Sequence, residues 1–197
     1  MKNPEEFWQN KHKVQSPLWL TGSYLNALCR VHEFEVPKNQ NVLEVGVGIG
    51  RATREFAKDN DVYAVDISRT ALDNLGNIAK KYLTADMVDI PDDTIDFAIC
   101  HLVFQHCENE AIGFILDQVI RVLKPGGQFF LQSGDSKQPM GVNIGRTKRR
   151  ELIWHTPDWI KARIALAGGD IVSERLSQRT PDIYWQLLKI TKAAKNI

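Results

Sequence analysis

The sequence predicts an α/β protein built on a doubly wound sheet of seven strands. The sheet is expected to be mostly parallel, with helices on both faces and an antiparallel final strand pair. Three observations predict it. Short apolar runs alternate with helix-patterned segments between residues 41 and 133, the signature of strand–helix–strand units. The first apolar run opens onto a turn with glycines at alternate positions, Gly46-Val47-Gly48-Ile49-Gly50. The last two apolar runs are joined by a loop alone, and strands without an intervening helix pair antiparallel.

Each element has its own warrant. Asn3-Pro4 reads as an N-cap followed by proline at the first helical position, opening a short helix through Phe7 and Trp8. Ser16-Pro17 repeats that signature, and Leu20, Tyr24, Leu28 and Val31 then fall on one helical face. Pro37-Lys38-Asn39-Gln40 is a turn into the first strand, Asn41–Val45. A helix over Gly50–Lys58 turns Ala52 and Phe56 inward. Val62–Asp66 is the second strand. Ser68 caps a helix carrying Ala71, Leu72 and Leu75, and Lys81–Thr84 is a short third strand.

Ile95–Cys100 is a near-continuous apolar run of the kind buried on both faces. Glu110–Leu123 is a long helix with Ile112, Ile115, Leu116 and Val119 inward. Lys124-Pro125-Gly126-Gly127 stops it before a fifth strand, Gln128–Ser133. Gly134 to Arg150 is polar and irregular. Thr156-Pro157-Asp158 opens another helix, closed by Gly168-Gly169 ahead of strands Asp170–Arg175 and Tyr184–Thr191.

Composition bounds the function. A chain of 197 residues suits one domain with a sizeable core. Its 43% hydrophobic and 25% charged content is ordinary for a soluble globular protein. A net charge of +1 makes no global case for a nucleic-acid partner. No apolar run approaches the ~20 residues that span a bilayer, and the N-terminus lacks the apolar core of a signal peptide. Cys29, Cys100 and Cys107 are odd in number and not in metal-ligand pairs, which fits reduced thiols in a cytoplasmic protein without a metal site.

The glycine-rich turn carries the chemistry. Glycine lets backbone approach a ligand closely and permits positive φ, and a turn opening onto a helix presents free N–H groups. Asp66 ends the next strand. An acid at that point is placed to accept hydrogen bonds from ribose hydroxyls. A nucleoside-containing cofactor follows from these two features together.

Five ordered segments then carry a family likeness. They are Leu43-Glu44-Val45-Gly46-Val47-Gly48-Ile49-Gly50, Ala64-Val65-Asp66-Ile67-Ser68, Thr84-Ala85-Asp86-Met87, Ile95-Asp96-Phe97-Ala98-Ile99-Cys100-His101 and Arg121-Val122-Leu123-Lys124-Pro125-Gly126-Gly127-Gln128-Phe129-Phe130-Leu131. In this order they resemble the class I S-adenosylmethionine-dependent methyltransferases in their small, single-domain form, over roughly residues 40 to 190. The resemblance implies a Rossmann-like domain across residues 1–197. Residues 1–36 would form a helical lid, 37–133 the cofactor-binding core, and 134–197 the substrate side and final strand pair.

The resemblance also implies roles. Glu44, Gly46, Val47, Gly48 and Gly50 would hold the methionine and ribose portions of S-adenosylmethionine, which leaves as S-adenosylhomocysteine. Asp66 would accept from both ribose hydroxyls, with Ile67 packed on adenine. Asp86 would accept from the adenine amino group and Met87 would cover the ring. Cys100, His101 and Leu102 would sit near the methionine end. Two departures stand out: Glu44 replaces the commoner Asp, and Val88 to Asp93 is too short for a full helix before the fourth strand.

Each candidate has a plainer reading beside it. Asp66 is also placed to cap the following helix, and Asp86 to serve a turn. Trp8, Trp19 and Tyr24 either fold over the cofactor or anchor the N-terminal segment to the core. His106 is the candidate general base, since an imidazole pKa near ~6.5 suits proton removal at neutral pH; local hydrogen bonding is the alternative. His101 and His155 are weaker candidates. Cys107 beside His106 suggests a thiol nucleophile, which methyl transfer does not need. Arg146-Thr147-Lys148-Arg149-Arg150 follows the fifth strand, so Arg146 and Arg149 are candidates to recognise a substrate phosphate or carboxylate; a solvated loop is the alternative. Trp19 is a third substrate candidate.

The expected reaction is methyl transfer to an O, N or C nucleophile, on a small molecule since no inserted cap domain or nucleic-acid module is present. Two other readings compete. A nicotinamide-dependent oxidoreductase shares the glycine turn and the acid, but Gly50 arrives one residue early for its fingerprint. A non-catalytic binding subunit shares the fold, but Gly46, Gly48, Asp66 and Asp86 are all intact.

Overall fold

The computed structural model describes residues 3–13, 23–135, 155–180 and 183–193. Trp19, Arg146 and Arg149 lie outside the described residues, as does the Ser16-Pro17 signature.

Two helices precede the sheet. α1 is Pro4–His12, and the Asn3 side chain accepts from the Glu6 amide as its cap. α2 is Tyr24–His32, capped by Ser23. The helix is pinned from outside its own sequence: Glu55 accepts from Ser23 Oγ at 2.6 Å and from the Tyr24 and Leu25 amides at 2.9 and 3.2 Å. The two amides are orphan donors of a first helical turn, here satisfied by a carboxylate from a later element.

Strand and helix then alternate: β1 (Asn41–Val45), α3 (Arg51–Phe56), β2 (Asp61–Asp66), α4 (Arg69–Asp73), β3 (Lys80–Leu83), β4 (Ile95–Cys100), α5 (Asn109–Val122), β5 (Leu123–Asp135). α6 (Pro157–Leu166), β6 (Gly169–Thr180) and β7 (Ile183–Lys192) complete the order. One seven-stranded sheet runs β3-β2-β1-β4-β5-β7-β6. β1 to β5 pair parallel, and β7 joins β5 and β6 antiparallel, as expected from the sequence.

The differences are local. α3 begins after Gly50 and ends at Phe56, short of Lys58. β5 begins directly after α5, and its register to β4 jumps from Ile95–Leu123 to Phe97–Gln128. Lys124-Pro125-Gly126-Gly127 is therefore a bulge within the strand as well as the stop of the helix. Between β3 and β4 a 3-10 helix, Thr84–Asp89, replaces a full helix and buries Met87.

Pleating divides the strand side chains between two cores. Val42, Phe97, Ile99 and Phe130 pack with Leu25, Leu28, Ala52 and Phe56 under α2 and α3. Leu43, Ala98, Cys100 and Leu131 pack with Ile112, Leu116, Val119 and Ile160 under α5 and α6. Helices thus cover both faces, and the parallel strand ends are left to form the site. No helix among the described residues is long and apolar enough to cross a membrane.

Candidate active site

The sheet order reverses direction between β1 and β4, and ligands of open α/β sheets bind outside the strand ends at such a switch. A cleft of about 1010 Å³ opens there. Its floor is Glu44 to Ile49, Asp66 and Ile67, and its far end is His101, Leu102, Val103, His106 and Trp185. Helices α1 and α2 supply the roof through Trp8, His12, Tyr24 and Leu28.

The floor is shaped by backbone. Gly46 takes φ 80°, and a Cβ there would lie 2.2 Å from Val103 Cγ2. Only glycine fits both the left-handed conformation and the contact. Gly48 takes φ 55°, and its amide donates to Asp66 Oδ2 at 2.9 Å. Asp66 Oδ1 accepts from the Ser68 amide at 2.8 Å. A carboxylate has about four acceptor positions, and the Gly48, Ser68 and Ile67 amides leave room for a ligand. The capping reading and the ribose reading of Asp66 are therefore compatible. Burial pushes the Asp66 carboxyl up, while the amides of Gly48 and Ser68 and the nearby His12 pull it down.

Glu44 is buried on the α3 side of β1 and accepts from Thr53 Oγ1 at 2.7 Å. Burial pushes its carboxyl up to about 8, so it carries a proton at neutral pH.

The roof contains residues that sequence reasoning passed over. His12 lies above Gly48, its Nε2 3.9 Å from the place of a Gly48 Cβ. Its Nδ1 is buried without a hydrogen-bond partner. Trp8 stacks on His12 at 5.6 Å, and the Lys11 ammonium sits 4.4 Å above the Trp8 ring. Gln9 ties α1 to the start of α4 by accepting from the Thr70 amide and hydroxyl and from Ser68 Oγ. Arg51 stacks over Tyr24 at 4.6 Å. Trp8 and Tyr24 were candidates for this roof from the sequence; the contacts of His12, Gln9 and Arg51 were not visible as a pattern, because they join segments far apart in the chain.

At the far end, Leu102 takes φ 61° and its amide donates to Gln132 Oε1 at 2.6 Å. That bend brings His101, Val103 and the 3-10 helix Phe104–His106 to the cleft wall. His106 meets the Trp8 ring edge-on at 5.1 Å, with Gln105 Nε2 3.4 Å from its Nε2. His101 pairs with His32, the ring nitrogens 3.0 Å apart.

Four residues expected at the cofactor do not line the cleft. Met87 is fully buried in the core beneath α5, and Cys100 points to that same face because β4 alternates. Asp86 is half-buried in the 3-10 helix, and Thr84 is the residue of that segment reaching the wall. Gly50 starts α3 and is hemmed by Leu75 and Arg54. The thiol-nucleophile reading of Cys107 finds no support: burial pushes that thiol up to about 12, and His155 Nε2 meets the Cys107 carbonyl instead. Among the described residues no cluster of His, Cys, Asp and Glu is placed to hold a metal ion.

The cradle fits a nucleoside cofactor. A Cβ would fill the approach at Gly46, Asp66 retains room to accept from a ligand, and His12, whose Nδ1 is buried without a partner, lies over Gly48.

Comparison with known proteins agrees. Residues 43–131 match the family model of a methyltransferase domain. Phosphoethanolamine N-methyltransferase 1 of Triticum aestivum is 31% identical over 127 residues, which cover 56% of this chain and 26% of that protein. The chain thus matches about a quarter of that relative's length. Among solved structures, the Burkholderia thailandensis 1,6-didemethyltoxoflavin-N1-methyltransferase, with 1,6-didemethyltoxoflavin and S-adenosylhomocysteine bound, superposes with a TM-score of 0.67 at 16% identity, over 98% of this chain and 92% of that one. The Haemonchus contortus phosphoethanolamine N-methyltransferase 2, with phosphomonomethylethanolamine and S-adenosylhomocysteine bound, superposes with a TM-score of 0.65 at 14% identity, over 87% and 53%. At such identities the structures speak for the fold, and the fold is shared. Sequence, sheet order and glycine cradle converge: residues 43–131 match a methyltransferase domain, on the fold that these S-adenosylmethionine-dependent enzymes share.

Proposed function

We propose that the chain transfers a methyl group from S-adenosylmethionine to a small-molecule acceptor, and that the acceptor atom is a nitrogen on a phosphorylated amine. The observation that carries the cofactor reading is the Asp66 carboxylate held by the Gly48 and Ser68 amides at the mouth of the glycine turn. The acceptor reading draws on the relatives, of which one is named for phosphoethanolamine and another was solved with phosphomonomethylethanolamine.

When bound, the cofactor supplies an electrophilic methyl on a sulfonium. The chain's own residues do the rest. Asp66 holds ribose hydroxyls, and Ile67, which is exposed at the cleft edge, offers an apolar face to the base. Trp8, His12 and Tyr24 roof the cleft and exclude water. Leu102 and Val103 press the far wall toward the glycine turn, which narrows the space in which an acceptor can lie. Holding two reactants at near-attack distance supplies much of the rate in such a displacement. Glu44, uncharged when the cleft is empty, becomes a carboxylate partner for a cationic ligand.

Titration calorimetry with S-adenosylhomocysteine, with NADH in parallel, tests the cofactor. Binding of the first alone is expected; binding of NADH alone would overturn the proposal. Incubation with methyl-labelled S-adenosylmethionine and phosphoethanolamine then tests the acceptor. Label transferred to nitrogen is expected, and cofactor binding without any transfer to phosphoethanolamine would overturn that choice of acceptor.

A further inference from the structure

His32 and His101 form an imidazole pair between α2 and the end of β4, at the wall of the cleft away from Asp66. His32 Nε2 lies 3.0 Å from His101 Nδ1, and the rings are inclined at 76°. His32 is only 8% exposed and packs against Phe34 and Phe130. His101 is half-buried, lines the cleft, and meets Trp185 of β7 edge-on at 5.4 Å. Two nitrogens at that distance share one proton. Which ring owns it fixes the tautomer of the other.

We propose that His101 Nε2 is the proton acceptor for a methyl acceptor bearing an N–H or O–H, and that His32 is the positioning residue that fixes its tautomer. The inference rests on the methyl-transfer reading above.

The chemistry runs from His32 outward. Burial holds its imidazole down at about 4, and the charge of Arg175 adds to that. His32 is therefore neutral at pH 7 and able to accept the Nδ1–H of His101. The two nitrogens of an imidazole point in divergent directions, so the lone pair on His101 Nε2 then faces away from His32. When His101 takes a proton, its Nδ1–H becomes the donor of a charge-assisted bond to a neutral ring, roughly twice as strong as a neutral one. This is the arrangement of a base oriented by a third group, with imidazole in place of the usual carboxylate.

Charged and titratable groups surround the pair. Arg175 lies behind His32 and is paired with Glu33 at 3.4 Å. Across the cleft stand Tyr24, Glu44, Arg51, Asp66 and His106, and Glu44 is protonated at neutral pH only while the cleft is empty.

The step balances. The electron pair of the acceptor's N–H or O–H bond is freed to form the new bond to carbon. The proton passes to His101 Nε2. The carbon–sulfur pair stays on sulfur, turning a sulfonium into a neutral thioether.

The test does not need turnover. In protein labelled with ¹⁵N-histidine, long-range proton–nitrogen spectra report the tautomer and midpoint of each ring over about pH 5–9, with His101→Gln and His32→Gln for assignment. The expected result is neutral His101 protonated on Nδ1. His32→Phe should lower its midpoint by about one unit, while His32→Gln, which keeps an acceptor, should preserve it. A wild-type His101 protonated on Nε2, or a midpoint unmoved in folded His32→Phe, would overturn the proposal. Where labelled methyl transfer to phosphoethanolamine is measurable, His101→Gln should lower kcat by about 10²-fold or more, flatten the acid limb of the pH profile, and leave the KM for S-adenosylmethionine within twofold. Unchanged kcat would overturn the base role. Failure of the methyl-transfer reading shows instead as absent cofactor binding, a separate readout.

Discussion

Thr53 Oγ1 donates to Glu44 Oε2 across 2.7 Å, and this buried bond joins α3 to the strand that carries the glycine turn. Burial pushes Glu44 up to about 8 from its ordinary 4.5; the Thr53 hydroxyl pulls it partly back and the charge of Asp66 adds to the rise. The native chain thus holds a proton that the unfolded chain releases. Stability contributed by this site falls as pH rises from about 4.5 to about 8, because the native state binds more protons over that window. Glu44→Gln keeps an acceptor for Thr53 and removes the titration. The ligand-free variant should match the wild type near pH 4.5 and melt higher at pH 8, read by calorimetric scans. A wild-type melting temperature that is flat over this window and equal to the variant's would remove Glu44 as the titrating group.

The same carboxyl predicts proton release on binding. A sulfonium or ammonium in the cleft favours the ionised form, so Glu44 should lose its proton when S-adenosylmethionine binds at pH 7. Titrations in two buffers of different ionisation heat should give different apparent enthalpies for the wild type. The difference should shrink in Glu44→Gln, and an equal difference in both proteins would assign the proton elsewhere.

Asp66→Ala removes the acceptor at the end of β2. Cofactor affinity should weaken by roughly 1–3 kcal/mol, the scale of a hydrogen bond to a charged group, measured with S-adenosylhomocysteine. The Gly48 and Ser68 amides also lose their partner, so circular dichroism must first show a folded variant. Full affinity in a folded Asp66→Ala protein contradicts the ribose role.

What the sequence disclosed divides along a physical line. β1 and β4 are found where their apolar runs place them, because a strand buried on both faces writes its limits locally. Asp66 and the glycine turn were legible for the same reason: conformation and ligand chemistry act within a few residues. α2 was not. Ser23 caps its described start, but the Tyr24 and Leu25 amides are held by Glu55, a carboxylate roughly thirty positions away that no local signature announces. Met87 and Cys100 were assigned to the cofactor from their segments, and the pleat of β4 and the 3-10 turn bury both. His12 over Gly48 and His32 against His101 are products of tertiary packing alone.

Gly46→Ala tests the close approach of two segments. The new Cβ would meet Val103 Cγ2 at 2.2 Å, on a backbone held at φ 80°. Two costs add: the clash, and a left-handed alanine worth about 1–2 kcal/mol. Val103→Ala in the same chain should recover the first and leave the second. The double-mutant cycle should therefore show favourable coupling, with stability only partly restored by denaturant titration. Additive effects would mean that Val103 moves aside without cost.

Gln9 gives a test of the roof. Its Oε1 accepts from the Thr70 amide at 3.0 Å, from Thr70 Oγ1 at 2.8 Å and from Ser68 Oγ at 3.3 Å, docking α1 on the start of α4. Trp8 and His12 ride on that helix over the cleft. Gln9→Ala loses the acceptor and leaves α1 anchored mainly by its rings. If α1 retains the cofactor, S-adenosylhomocysteine should dissociate about 5- to 30-fold faster, the equivalent of about 1–2 kcal/mol, with association nearly unchanged. Stopped-flow fluorescence from the tryptophans that include Trp8 would report both rates. Gln9→Glu keeps the oxygen and should dissociate within twofold of the wild type. Amide exchange over Pro4–His12 should quicken in Gln9→Ala alone. Faster exchange with an unchanged dissociation rate would show that α1 docks on the domain without holding the ligand in it.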